Sequence, residues 1–298
     1  MLEFKPIELS DKPKIDECMW AENSRSADFN FANIFMWDKT FKQSVAYIGQ
    51  RYVIKTEYSH APFFAFPTGS GNLKPVVEQL REYSGRKGFP LCIRGVTENN
   101  LKALNELFPG EFQCTDDRAF FDYIYSAEKL ASLAGKKLHS KRNHINRFEE
   151  ANDWNFEPLT VELVPACMVM LEQWESLHTD PHDHNLISEH AAISRAFQHY
   201  VYLGLEGGIL RSAGKIIGFT VGERISSDTY NIHFEKAYSD IHGAYPMINR
   251  EFVRHILSIH PEIEYINRED DMGKDNLRKA KLSYYPEYLL EKHTAIWS

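Results

Sequence analysis

The chain has 298 residues, 43% of them hydrophobic, and a formal net charge of -8. This length accommodates two domains with real hydrophobic cores, and the acidic balance argues against non-specific coating of nucleic acid or of an anionic membrane surface. The four cysteines have no metal-binding spacing, the first residues do not resemble a signal peptide, and no apolar run is long enough for a membrane span. We therefore predict a cytoplasmic protein with no stable membrane insertion.

The first half of the sequence alternates short apolar strands with amphipathic helices. Apolar residues recur at helical spacing over 29–37 and 73–83, and a turn at Gly49-Gln50 indicates a hairpin. The predicted elements are, in order, a strand over 3–9, helices over 10–20 and 29–37, strands over 43–48, 52–57 and 62–66, a helix over 73–83, a strand over 90–93, a helix over 98–107, and strands near 112 and over 120–124.

The second half repeats this order of elements after a short helix over 127–133 and a basic helix over 136–151. Its predicted elements are a strand over 155–159, helices over 165–177 and 188–200, strands over 201–205, 208–211, 215–224 and 230–235, a helix over 243–258, a strand over 263–266, a helix over 276–282 and a strand over 287–293.

Both halves have strand, two helices, an antiparallel meander, helix, strand, helix and strand, which differs from the regular alternation of a doubly wound sheet. The order resembles the Gcn5-related N-acetyltransferase fold, an acyl-CoA N-acyltransferase fold, twice in tandem. We predict an α+β protein with mixed, mostly antiparallel sheets flanked by helices. The predicted domains are 1–125 and 126–298, and the second includes the basic helix and the active site.

A dense run of opposed charge follows the predicted strand over 263–266. Carboxylates beside guanidinium and ammonium groups hold one another ionised and oriented, as sites for polar substrates require. A solvated charge run is the alternative, but the position after a buried strand favours a site. The charged residues are Arg268, Glu269, Asp270 and Asp271, followed after Gly273 by Arg278, Lys279 and Lys281.

Two further groups of polar residues are candidates for a site. His233 and Glu235 alternate with apolar residues on one predicted strand, so that both would point to one face as a general-base pair; a hydrogen-bonded core pair is the alternative. On the basic helix, Lys137, Lys141 and His144 share a face that suits an anionic partner such as RNA or a phosphate headgroup. The alternative there is a solvated helix whose cations pair with nearby acidic residues.

Several motifs resemble the soluble relatives of the C-terminal domain of phosphatidylglycerol lysyltransferase, a family of aminoacyl-phosphatidylglycerol synthases. They are Gly135–Phe148, His233-Phe-Glu-Lys236, Gly243-Ala-Tyr245, Ile248-Asn-Arg-Glu251, Asn267-Arg-Glu-Asp270 and Leu277–Tyr284. The resemblance implies a tandem acetyltransferase-like fold with the site in the second half, an aminoacyl-tRNA donor and a phospholipid headgroup as acceptor. The multi-span membrane domain of the lysyltransferases has no counterpart in this sequence, so we expect a small-molecule acceptor as readily as a lipid headgroup.

The sequence is also similar, more distantly, to the Fem transferases, which move amino acids from tRNA to peptidoglycan precursors. In that family a lysine near the end of the chain contacts the tRNA acceptor, and Lys281 matches it. We therefore predict an aminoacyltransferase. The catalytic candidates are Lys281, Glu269, Asp271, Arg268, His233 and Glu235, and the substrate-binding candidates are Lys137, Lys141, Arg142, Asn146, Lys236, Asn249, Asn267, Arg278, Ser283 and Tyr284.

Neither half contains a good loop for the pyrophosphate of coenzyme A, which is held by a cation and a glycine-rich turn before a helix. Residues 240–245 have an acidic residue in place of the cation and a tyrosine in place of the last glycine, and residues 66–71 have the glycines without the cation. We predict no required cofactor and a donor other than acyl-CoA. An acyl-CoA N-acyltransferase and a non-catalytic ligand-binding module are the alternatives.

A group of histidines lies between two predicted helices of the second half. Its spacing fits no common metal site, and an irregular loop explains it better than a metal centre. The residues are His178, His182, His184 and His190.

Overall fold

The computed structural model describes residues 2–58, 61–177 and 184–298, without the side chains of residues 184 and 185. The strands are β1 Lys5–Pro6, β2 Gln43–Ile48, β3 Arg51–Thr56, β4 Phe63–Ala65, β5 Thr68–Gly69, β6 Cys92–Val96, β7 Phe112–Asp116, β8 Asp122–Ser126, β9 Trp154–Pro158, β10 Glu206–Ser212, β11 Lys215–Arg224, β12 Thr229–Ala237, β13 Tyr265–Asn267, β14 Tyr288–Leu290 and β15 His293–Trp297. The helices are α1 Lys12–Glu22, α2 Phe31–Phe41, α3 Lys74–Lys87, α4 Glu98–Leu107, α5 Ala127–Ser132, α6 His139–Ala151, α7 Val164–Ser176, α8 His184–Gln198, α9 Tyr200–Leu203, α10 Ala244–Ile259 and α11 Asp275–Leu282.

The chain divides into two compact units that are discontinuous in sequence. The first unit comprises Met1–Tyr123, Glu269–Arg278 and Leu289–Ser298, and the second comprises Ile124–Arg268 and Lys279–Tyr288. The chain first crosses between units close to the predicted boundary at residue 125, but the prediction assigned all later residues to the second domain. The difference arises because two late segments pack with the first unit.

The first unit contains a sheet with the order β1-β2-β3-β4-β6-β15-β7, and β5 pairs with β3. Strands β4 and β6 run parallel, whereas β2 with β3, and β15 with both of its neighbours, pair antiparallel. Aromatic and aliphatic residues from the sheet, α3 and α4 form its core, including Phe64, Leu80 and Leu104. The sheet therefore depends on β15, which lies between β6 and β7.

The second unit contains a sheet with the order β14-β8-β13-β12-β11-β10-β9. Strands β12 and β13 run parallel, and the neighbouring pairs from β9 to β12 run antiparallel. Helix α10 packs on this sheet, where Phe252 contacts the ring of Tyr230 at 5.9 Å between centroids. Because β12 continues beyond Asn231, the last of its residues paired with β13, side chains on β12 and those that follow β13 can meet at the carboxyl ends of these two strands.

The sheets confirm the predicted α+β class with mixed, mostly antiparallel strands. Two predicted strands are wrong. Residues 201–205 mostly form the short helix α9, which ends at Gly204 in a left-handed conformation, and residues 287–293 contribute to β14 and β15 in different sheets. Within the described residues, no helix has both the length and the apolar character that a membrane crossing demands.

Candidate active site

A buried ion pair lies at the carboxyl ends of two central strands of the second unit's sheet, β12 and β13. Glu235 comes from β12 and Arg268 follows β13, and their Oε1 and Nη2 atoms are 2.9 Å apart with side chains 8% and 13% exposed. The Nδ2 atom of Asn249 on α10 donates to the other carboxylate oxygen at 2.8 Å. The carboxylate is thus oriented by two partners from different elements.

Aromatic rings and a second cation surround this pair. The ring centroid of Tyr284 lies 4.0 Å from Nζ of Lys141 and 4.9 Å from Cζ of Arg268, and the ring of Tyr125 lies 5.7 Å from the same guanidinium. Burial and the neighbouring Arg268 lower the pKa of Lys141 to about 8. Two cations beside one carboxylate leave a local excess of positive charge, which suits an anionic group.

Two polar atoms in this cluster are buried without a hydrogen-bond partner among the described residues. They are Nη1 of Arg268, a donor, and Oδ1 of Asn249, an acceptor. An unsatisfied buried polar atom costs roughly 1–3 kcal/mol, so a partner supplied by a ligand would be favourable. A ligand that brings an oxygen acceptor and an N–H or O–H donor would satisfy both.

Lys281 bonds the backbone of Arg268, and Asn267 directly precedes Arg268 in the sequence. Lys281 is buried, and its Nζ donates to the carbonyl oxygen of Arg268 at 2.5 Å, while the Tyr125 hydroxyl donates to the carbonyl of Lys281. Asn267 is fully buried on β13, in register with Asn231 of β12. Lys281 therefore holds the segment that carries Arg268.

The structure separates His233 from Glu235. On β12, Phe234 pairs with Val221 and Ile232 with Gly222, so that His233 is the extra residue of a β-bulge. Its Nε2 lies 3.0 Å from Glu223 and its Nδ1 lies 3.0 Å from Asn231, whereas Glu235 bonds Arg268 and Asn249. The structure therefore gives no support to a general-base pair of His233 and Glu235, because a bulge interrupts the alternation on which that prediction rested.

Asp271 belongs to the first unit, where its carboxylate is fully buried. Arg118, Tyr123 and Arg278 donate to its oxygens at 2.6–3.0 Å, as does the backbone N–H of Gly273. Burial alone raises a carboxyl pKa, but these bonds outweigh it and hold the pKa of Asp271 below its ordinary value. A buried carboxylate that accepts from this many groups of the protein stabilises the fold. The structure therefore does not support the predicted role of Asp271 and Arg278 in binding or converting a substrate.

Glu269 also lies in the first unit, where its backbone carbonyl accepts from the N–H of Tyr123. Its φ of 56° is in the left-handed region that a non-glycine residue adopts at a cost. The conformation turns the chain between Arg268 and Asp271. Thus neighbours in sequence belong to different units.

The other predicted binding residues have varied surroundings in the second unit. Lys137 is exposed over the ring of Tyr285, and Asn146 is exposed on α6. Arg142 donates to the carbonyls of Leu133 and Gly135 and so caps the end of α5. Lys236 is buried between Glu189 and the ring of Trp174, and the Ser283 hydroxyl donates to the carbonyl of Ala280.

Tyr125 is the site residue that the sequence did not reveal. It lies on β8, which was assigned to the first domain, and reaches Arg268 because β8 pairs with β13 in the second sheet. In the sequence Tyr125 is far from Arg268, so no local pattern indicates that the two residues meet. Of the histidine group, His178 and His182 lie outside the described residues, and His190 bonds Glu175.

The two loops considered for coenzyme A are filled by the chain itself. A methyl group on Gly243, before α10, would lie 2.4 Å from the carbonyl oxygen of His144 and 2.9 Å from Cβ of Phe148, so α6 packs closely on this helix start. In the first unit the N–H of Gly69 donates to the carboxylate of Glu22 at 3.3 Å. The Gly69 amide is therefore paired within the chain, and α6 leaves little space beside Gly243.

Comparisons with known proteins identify the family and the fold. The family model for the C-terminal part of phosphatidylglycerol lysyltransferase matches residues 21–296. The crystal structure of a conserved protein of unknown function from Bacteroides thetaiotaomicron is similar at 37% identity, with a TM-score of 0.95 and full coverage of both chains. The C-terminal domain of a protein from Agrobacterium fabrum assigned as a lysylphosphatidylglycerol synthetase has 15% identity, a TM-score of 0.67, and 98% and 93% coverage of the two chains.

More distant structures share the fold alone. FemX is similar at 8% identity with a TM-score of 0.62 and coverage of 99% and 97%, and a tandem GNAT protein of clavulanic acid biosynthesis at 11% with a TM-score of 0.50 and coverage of 99% and 98%. These similarities confirm the predicted tandem Gcn5-related architecture. An uncharacterized protein of Mycoplasmoides gallisepticum is 26% identical over 180 residues, and the match spans 58% of this chain but only about half, 54%, of that relative.

Proposed function

Because this chain belongs to the phosphatidylglycerol lysyltransferase C-terminal family, we propose that it transfers an activated aminoacyl group from aminoacyl-tRNA to a lipid headgroup or a small molecule. The family and the fold indicate a transferase of the Gcn5-related type, and the donor and the acceptor are our proposal. The observation that supports it best is the buried Glu235–Arg268 pair, with Nη1 of Arg268 unpartnered beside Lys141.

In the proposed reaction, the amine or hydroxyl of the acceptor attacks the ester carbonyl carbon of the donor. Negative charge develops on the carbonyl oxygen, and the bond to the ribose oxygen of the tRNA then breaks while the acceptor's proton passes to that oxygen. Nη1 of Arg268 is suited to donate to the developing oxyanion in a site with little water. Glu235, fixed by Asn249, orients the attacking group, and Lys141 binds a phosphate near the end of the tRNA.

Coenzyme A should bind weakly to this protein, in contrast to an ordinary Gcn5-related acetyltransferase. The start of α10 packs against α6 at Gly243, and the N–H of Gly69 already donates to the carboxylate of Glu22. Both arrangements oppose the binding of a pyrophosphate group. We expect isothermal titration calorimetry with acetyl-coenzyme A to show no saturation at millimolar ligand. Micromolar affinity would contradict the choice of donor and favour an acyl-CoA N-acyltransferase.

Binding of aminoacyl-tRNA should depend on Lys137 and Lys141. With both lysines changed to glutamine, we expect weaker binding and a salt-dependence slope lower by about two, one for each lost phosphate contact. The affinity of the wild type should also fall as the pH rises above about 8, where Lys141 loses its proton, and the Lys141→Gln variant should lack this step. Fluorescence anisotropy over a series of salt concentrations and pH values measures both effects.

The matched control replaces two exposed lysines that lie outside residues 136–151, Lys87 and Lys215, by glutamine. Equal losses in the two double variants would mean that the tRNA binds without specific contacts to Lys137 and Lys141, which contradicts the proposal. If charged tRNA binds at low salt but no aminoacyl group is transferred to any acceptor in a metabolite and lipid extract, the protein is a binding module on a transferase fold.

A further inference from the structure

A groove of about 640 Å³ lies in the second unit at the other end of β13 from Arg268. It is formed where β8, the end of α10, the start of β13 and the segment before β14 meet. Leu257 and the buried Ile263 give it an apolar floor. Its volume is in the range of small-molecule sites, and a ligand here would leave the candidate active site open.

The polar part of the groove is acidic. Three carboxylates and one ammonium group line it, from Glu128, Glu264, Glu287 and Lys129, which leaves two negative charges. Lys129 forms an ion pair with Glu287. Glu128 and Glu264 make no ion pair with any residue that the structure describes, so two carboxylates remain to receive a cation.

Two tyrosines form an aromatic corner in the same groove. The rings of Tyr265 and Tyr288 are 6.4 Å apart between centroids and inclined at 67°, and both residues are half-buried. Ring faces attract organic cations and also pack against methylene groups. Carboxylates, aromatic faces and an apolar floor together select a cation that has an aliphatic stem rather than a metal ion.

We propose that this groove binds an aliphatic diamine or polyamine, with its ammonium groups against Glu128 and Glu264 and its stem along Leu257, Ile263 and the tyrosine rings. Two ammonium groups match the two negative charges of the lining. The proposal is independent of the transfer reaction, because none of these residues belongs to the candidate active site.

The test is calorimetric titration of the full chain with 1,5-diaminopentane, and with 1,5-pentanediol as a neutral ligand of the same length. We expect saturable binding of the diamine with a dissociation constant below about 1 mM and none of the diol. The Glu128→Gln, Glu264→Gln double variant should bind about tenfold more weakly, since each exposed carboxylate contributes a modest factor. Tyr288→Leu, which keeps apolar area but removes the ring face, should weaken binding several-fold.

The matched control changes two exposed glutamates outside the groove, Glu150 and Glu172, to glutamine and so removes the same charge. The control should bind the diamine like the wild type. Equal weakening in both double variants, equal binding of the diol, or no saturable binding of the diamine would each overturn the proposal. Thermal unfolding of each variant without ligand verifies that it is folded.

Discussion

Replacing Arg268 by leucine is expected to lower the free energy of unfolding by about 3–5 kcal/mol, because it leaves the carboxylate of Glu235 buried without its cation. The same change should abolish aminoacyl transfer, since it removes the donor that we assign to the developing oxyanion. Urea denaturation followed by circular dichroism measures the first effect, and transfer from charged tRNA measures the second.

A second substitution distinguishes the two roles of this residue. In the Arg268→Leu, Glu235→Gln double variant, neither member of the pair carries a charge, and the glutamine oxygen can still accept from Asn249. We expect most of the lost stability to return, because a neutral pair avoids the desolvation cost, while transfer stays absent. A double variant as unstable as Arg268→Leu would show that the uncompensated charge is not the cause. Recovery of transfer would show that Arg268 is not part of the reaction.

Replacing Asp271 by asparagine is expected to destabilise the first unit by about 2–3 kcal/mol. An amide cannot accept from all of the groups that now donate to the carboxylate, and its NH2 group would face the guanidinium groups. Urea denaturation measures this loss. Asp275→Asn, on the exposed first turn of α11, is the matched control and should change stability by less than about 1 kcal/mol.

The pH dependence of stability gives an independent measurement of Asp271. Its pKa is lower in the folded protein than in the unfolded chain, so the carboxylate stabilises the fold above the ordinary carboxyl pKa, near 4. This contribution is lost as the pH falls below 4 and the group is protonated. The wild type should therefore lose stability more steeply than Asp271→Asn over this range. Parallel curves would contradict the assignment of Asp271 as a charged structural centre.

The sequence predicted the elements whose signals are local. Strand β11 has the predicted bounds, and α10 begins and ends within one residue of its prediction, since its apolar periodicity is strong. The short α9 was missed because Tyr-Val-Tyr-Leu is rich in residues typical of strands, and its helical turn is fixed by contacts beyond its own residues. Local pattern is thus informative for long elements and misleading for a single turn.

The site was only partly predictable for a related reason. The charged segment after β13 contains Arg268, which lies in the candidate site, and Asp271, which bonds Arg118 and Tyr123 far away in sequence. The two have the same local composition, so only the fold distinguishes them. The bulge at His233 likewise depends on the register with β11, which a single strand does not encode.

The position of β15 also determines when the first unit can complete its fold during synthesis. More than half of the chain separates β7 from β15, although the two strands are neighbours in the sheet. Until the ribosome has made β15, β6 and β7 have unpaired edges that could pair with other nascent chains. Non-local pairing of this kind slows folding and prolongs that exposure. The first unit therefore cannot complete its sheet until residues 293–297 have been made, even though most of its residues emerge first.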